Sequence, residues 1–159
     1  MMYEIVVSMA LVVLTLSVQC AGVAVLIKWL RQVTAKEIHK GSMFEAAVLV
    51  MQTTIAVILL HGMVIVLWAG FFRWSCFRSW ERAIYFSGST YATVGYGDVL
   101  LPQQWQLLGP LESMLGVLMC GISVGLLFAL VTRLVGDAGR DAATESKHLH
   151  NERASRFGL

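Results

Sequence analysis

The chain has 159 residues, 57% of them hydrophobic and 14% charged, with a net charge of +2. That little charge cannot cover the surface of a soluble domain of this size, so the soluble class is excluded. The small charge gives no electrostatic reason for a nucleic-acid partner, and three cysteines far apart in sequence exclude a disulfide framework or a cysteine metal site.

Three runs reach the ~20 apolar residues needed to cross ~30 Å of hydrocarbon: Tyr3 to Ile27, Met43 to Phe72 and Leu111 to Arg133. The first is longer than a secretory h-region and has no basic residue before Lys28, so it reads as a retained helix. It carries no regularly spaced Arg or Lys before Lys28, which argues against a voltage sensor built on gating charges. The loop Lys28 to Ser42 and the tail from Arg133 together hold nine Lys and Arg, against Arg73, Arg78 and Arg82 on the other side. The positive-inside rule then places the N-terminus outside and the C-terminus in the cytoplasm of a multi-pass cell (inner) membrane protein.

In the second run, Gln52 falls at the depth of Gln19 of the first, so if the two helices are antiparallel neighbours these amides could pair as interhelical glue. His61 falls level with Ser8 or Met9 and is the one ionisable residue deep in a span. A hydrogen-bonded, neutral histidine at a helix contact is the plainer expectation; a pH sensor is the functional one. Glu45 and Glu112, near span ends, are expected to be solvated or paired with a base. Cys76, outside the spans, is expected to be a free thiol, although pairing between subunits is open to it.

Between the second and third runs lies a segment too long for a turn and too apolar for a solvated loop. Ser79 can cap a helix there, with Glu81 in its first turn. The helix from Trp80 to Ala92, ~18–20 Å long, is too short to span and is expected to enter the membrane and stop midway. The next six residues, Thr93-Val94-Gly95-Tyr96-Gly97-Asp98, must then line a cavity or be buried in protein, because irregular backbone is not tolerated against lipid. Gly95 and Gly97 accept the left-handed dihedrals that turn successive carbonyls to one side, forming a cage of neutral oxygens for a dehydrated cation. Val94 and Tyr96 would point away from that axis and wedge the loop against the short helix. The Thr93 hydroxyl adds an oxygen at the inner end, and Asp98 stands at the outer mouth.

The string Thr93 to Asp98, after a half-length helix and between two spans, resembles the selectivity filter of the potassium channel family. The resemblance covers Met43 to Arg133 and implies passive, selective K⁺ conduction. The carbonyls of Thr93, Val94, Gly95 and Tyr96 and the Thr93 hydroxyl would be ligands, with Gly97 completing the loop. K⁺ is then the permeant ion and no cofactor is required. One loop per chain implies a homotetramer in the lipid bilayer. Ser89 stands where many family members carry a Glu facing the filter aspartate, so a Ser89–Asp98 contact is the expected filter support. Tyr85 and Phe86 stand where an aromatic pair of tryptophans is often found.

In the third run Gly121 and Gly125 form a GxxxG, which close helix packing explains as well as a hinge at Gly121. Leu127, Phe128 and Val131 are candidates for an apolar gate, and helix packing accounts for them equally well. The tail, with His148 and His150, reads as polar and irregular. The expected organisation is therefore an all-α membrane protein of three transmembrane helices, a re-entrant pore helix and a filter loop. It divides into an N-terminal helix and linker (1–42), a pore module (43–135) and a short polar tail (136–159). With acids scattered and no nucleophile–base set, no enzyme is expected. The competing reading is a non-conducting membrane subunit or sensor that keeps a channel-like fold.

Overall fold

The computed structural model describes residues 2–37 and 43–157, with side chains over 3–33 and 43–136. Among the described residues the chain is all-helical: α1 (Met2–Glu37), α2 (Met43–Ser75), α3 (Trp80–Tyr91) and α4 (Leu108–Phe157), with a 3₁₀ turn at Gln103–Trp105. Three segments are long and apolar enough to cross a membrane: Tyr3–Val33, Met43–Ser75 and Gln103–Gly136. Their outward faces stay apolar, as in Val25, Ile58, Leu59 and Val124, because the surroundings are hydrocarbon rather than water. Hydroxyls within the spans are satisfied locally: Ser17, Thr53 and Thr54 each donate to the carbonyl four residues back.

The short helix has the expected boundaries and cap. The Ser79 hydroxyl accepts from the Arg82 amide, and Glu81 lies in the first turn. Twelve residues make α3 ~18 Å long, about half of a bilayer crossing. An aromatic knot holds it to α2. The Phe72 and Phe86 rings meet edge to face at 5.1 Å and 89°, and Phe72 also contacts Trp68 at 5.8 Å. Ala83, with no exposed surface, lets the helices approach.

The segment after Asp98 folds back on the same end of the bundle. Leu101 and Trp105 are buried, and the Trp105 ring meets Phe71 at 5.1 Å and Tyr3 at 6.5 Å. The N-terminal end of α1 and the segment after Asp98 therefore share one side. Along α1, Trp68 Nε1 donates to the buried Thr15 hydroxyl at 2.8 Å, and Gly22 admits the Leu60 side chain where a Cβ would lie 2.3 Å from its Cδ1.

The fold corrects four expectations. The helix α1 does not end at Ile27 but runs to Glu37, because Leu30 continues its buried face against Leu49 and Leu130. Gln19 and Gln52 do not pair: Gln19 is buried with both amide atoms unpartnered, whereas Gln52 is exposed. His61 is not level with Ser8 or Met9: its neighbour Leu60 meets Gly22 of α1, and its ring faces Tyr91 of α3 and Ser123 of α4. The tail is helical through Phe157 rather than irregular. Its Ala, Arg, Glu and Lys content favours helix, and extending an existing helix avoids the nucleation cost. His148 and His150 lie on that stretch; their side chains fall outside the described residues.

Candidate ion-conduction site

The chain leaves α3 by spending the helix's terminal carbonyls on the backbone of the loop. The Ala92 amide donates to Gly88 O (3.0 Å), Thr93 to Thr90 O (2.9 Å), and both Val94 (2.9 Å) and Gly95 (3.2 Å) to Ser89 O. The open carbonyl end of a helix thus captures the first four amides of the loop. Among the described residues no donor reaches the carbonyls of residues 93–97. The amides up to Gly95 are turned back to α3, and the carbonyls that follow are left over as acceptors.

Dihedrals alternate along the same stretch. Thr93, Gly95 and Gly97 have φ of 60°, 52° and 75°, while Val94 and Tyr96 between them remain at negative φ. Glycine reaches this region without cost, but a β-branched threonine does so only under constraint. The constraint on Thr93 is its amide bond to Thr90 and the bond beyond it from Val94. Tyr96 lies flat on Tyr85 of α3, with centroids 6.3 Å apart and planes 10° from parallel. It therefore packs on the short helix as expected, whereas Val94 is exposed and finds no such seat within the chain.

The support for Asp98 is Tyr85, not Ser89. The Tyr85 hydroxyl donates to Asp98 Oδ2 at 2.9 Å, while the Ser89 hydroxyl turns back to Phe86 O at 3.0 Å. A serine on the last turn of a helix reaches its own helix's carbonyl more readily than a carboxylate across the loop. Tyr85 lies one turn earlier on the same face, and its longer side chain spans the gap. We predict that Tyr85→Phe lowers flux through the protein without changing its helix content, because it frees Asp98 and leaves the Tyr85–Tyr96 stacking. Parallel flux and circular-dichroism measurements check this, and unchanged flux would remove Tyr85 from the support of the loop.

Behind the loop, His61 of α2 is bonded at both ring nitrogens. Nδ1 lies 2.8 Å from the Tyr91 hydroxyl and Nε2 3.0 Å from the Ser123 hydroxyl. One imidazole therefore ties the last residue of α3 to the membrane part of α4, as the helix-contact reading of this histidine expects. Nearer the N-terminal end of α4, Ser113 Oγ donates to Thr90 O at 2.8 Å. Gly116 of α4 lies against Tyr91 so closely that a Cβ there would stand 2.1 Å from the Tyr91 carbonyl oxygen.

Glu112 corrects a further expectation. It is neither solvated nor paired with a base but wholly buried, with Oε1 2.5 Å from Ser87 Oγ. Leu108, Leu115, Met119 and Ser123 are buried on the same stripe of α4. Gly121 and Gly125 are off that stripe, and a Cβ at either would meet nothing within 4 Å, so close packing within the chain does not explain their GxxxG. Phe128 and Val131 are likewise exposed, and Leu127 is half-buried. Cys76 is a free, half-buried thiol, and burial pushes it up to about 11, which leaves little thiolate for disulfide exchange near neutral pH.

A family whose description is ion channel matches residues 53–133, just over half of the chain and covering most of α2, all of α3, the loop and the membrane part of α4. No curated protein and no solved structure matches the chain. The matched region takes in most of two of the three membrane-length helices, the half-length helix between them and a loop with its acceptors left free. The chain is a membrane protein that belongs to the ion channel family.

Proposed function

We propose that four copies of this chain form a K⁺-selective channel that conducts passively along the electrochemical gradient. The observation that supports this most is the alternation of left-handed φ at Thr93, Gly95 and Gly97 with amides captured by α3. Alternating handedness brings successive carbonyls to the same side of the strand, which an ordinary strand does not do. The carbonyls of Thr93, Val94, Gly95 and Tyr96, with the Thr93 hydroxyl, are the proposed replacements for the hydration shell of K⁺. Gly97 completes the turn towards Asp98, whose carboxylate concentrates cations at the mouth. One loop supplies ligands on one side only, so four chains around an axis close the cage.

The same arrangement gives roles to the free faces of α4. Gly121 is the proposed hinge, and Leu127, Phe128 and Val131 are the proposed apolar constriction. The proposed location is the cell membrane, and the positive-inside count supports an orientation with the N-terminus and the outer mouth on the external side. The Tyr3–Trp105 contact, which keeps those two on one side, agrees with that orientation.

Purified protein in liposomes is expected to pass K⁺ much faster than Na⁺ under equal gradients. Equal rates would reject the selectivity, and no flux of either ion at any pH would favour the non-conducting subunit. Running the same assay on His61→Gln across pH separates a structural link from a pH sensor, since only the sensor loses a pH dependence.

A further inference from the structure

The buried Ser87 hydroxyl has one proton and two acceptors. Its Oγ lies 3.0 Å from the Ile65 carbonyl oxygen of α2 and 2.5 Å from Glu112 Oε1 of α4. A carbonyl has no proton to give, so if both contacts are hydrogen bonds the second proton comes from Glu112. From this count we infer that Glu112 is held as a neutral carboxylic acid, donating to Ser87, which in turn donates to Ile65. The relay runs α4 to α3 to α2, and it makes Glu112 a positioning residue for the short helix.

The surroundings of the carboxyl agree. Glu112 has no exposed surface, and among the described residues no donor reaches its Oε2. A carboxylate left there would be a buried charge without a counter-charge, the arrangement proteins avoid most strongly. The dipole of α4 favours negative charge at its N-terminal end, but only over the first turn, and the first turn of α4 holds no acidic residue. The relay touches α3 at Ser87, one turn before Tyr91 and on the side away from the Tyr85–Asp98 bond. The short helix is thus fixed to α4 by three links: Glu112 to Ser87, Ser113 to Thr90, and Ser123 through His61 to Tyr91. Of these, only the Glu112 link depends on a proton count at a carboxyl. The inference concerns how α3 is held, and it stands whichever ion passes.

The test is an infrared difference spectrum of the purified full chain at neutral pH, wild type minus Glu112→Gln. A carboxylic acid C=O band present in the wild type and removed by the substitution is the expected result. No such band overturns the neutral acid. A glutamine amide can donate to Ser87 as the acid does, so Glu112→Gln should keep the thermal midpoint and stay within about twofold in flux. Glu112→Ala and Ser87→Ala, which break the relay, should lower the midpoint and reduce flux about tenfold. A Glu112→Gln protein as impaired as Glu112→Ala, or a Ser87→Ala protein as stable as wild type, overturns the relay. Should the wild type pass no K⁺, the conduction reading fails alone, since the band and the midpoints still decide this one.

Discussion

Gly116→Ala is expected to be among the most damaging single-methyl additions in the membrane part of the chain. The added Cβ would stand 2.1 Å from the Tyr91 carbonyl oxygen and 3.0 Å from its carbon, so backbone must move against backbone. Neither side can yield cheaply. Tyr91 is fixed by His61 through its hydroxyl, and Thr90 is held by Ser113. Overpacking a well-fitted core costs typically ~1–3 kcal/mol, and the upper end applies where no side chain can rotate away. The displacement falls at the last residue of α3, two positions before Thr93, so the loop should lose its geometry along with the stability. Gly121→Ala and Gly125→Ala are the controls. Their Cβ atoms meet nothing in the chain, and alanine in place of helical glycine favours the helix by up to ~1 kcal/mol. A thermal midpoint well below wild type for Gly116→Ala alone is the expected pattern. If all three melt alike, the close approach of α4 to α3 is not a feature of the protein. A Gly121→Ala protein of full stability but reduced flux would point to the hinge.

The contrast among these glycines explains why some of the site could be read in the sequence and some could not. Membrane-length apolar runs, the Ser79 cap and the Gly-x-Gly loop are local, and each is set by residue types over a few positions. The end of α1 is hidden from composition, because Lys28 and Arg31 interrupt the apolar run while Leu26 and Leu30 continue its buried stripe. Glu112 was legible in principle. It lies on a stripe that runs Leu108, Glu112, Leu115, Met119 and Ser123, and a carboxyl on such a stripe is buried whatever its distance from the span end. Depth alone places it with solvent or a basic partner. Likewise Tyr85 shares a face with Ser89 one turn away, and reach rather than alignment decides which of them meets Asp98. Gly116 and the His61 link belong to another class. They depend on where three helices cross, and no local pattern around either residue reports that crossing.

Gly95→Ala should abolish K⁺ flux and leave the helices formed, a loss of a different kind. At φ 52° the residue is in the left-handed region, yet a Cβ there meets nothing within 4 Å in its own chain. The cost is therefore conformational rather than steric, ~1–2 kcal/mol for an L-residue, or about 4–8 kcal/mol over the four copies of the proposed pore. Thr93 already carries such a strain at φ 60° and is held by bonds to α3 on both sides. Position 95 is the last whose amide reaches Ser89, and the bond is the longest of the set at 3.2 Å. Alanine there can relieve its strain by letting that bond go and returning to negative φ. The alternation would then break between Val94 and Tyr96, and one carbonyl of the proposed cage would turn away in every copy. Helix content by circular dichroism should stay at the wild-type value while K⁺ flux into liposomes disappears. Retained flux with K⁺ still preferred over Na⁺ would mean that the left-handed residue at 95 does not set the cage. Gly116→Ala and Gly95→Ala thus separate the two demands on this segment: one fixes where α3 ends, and the other which way the carbonyls beyond it face.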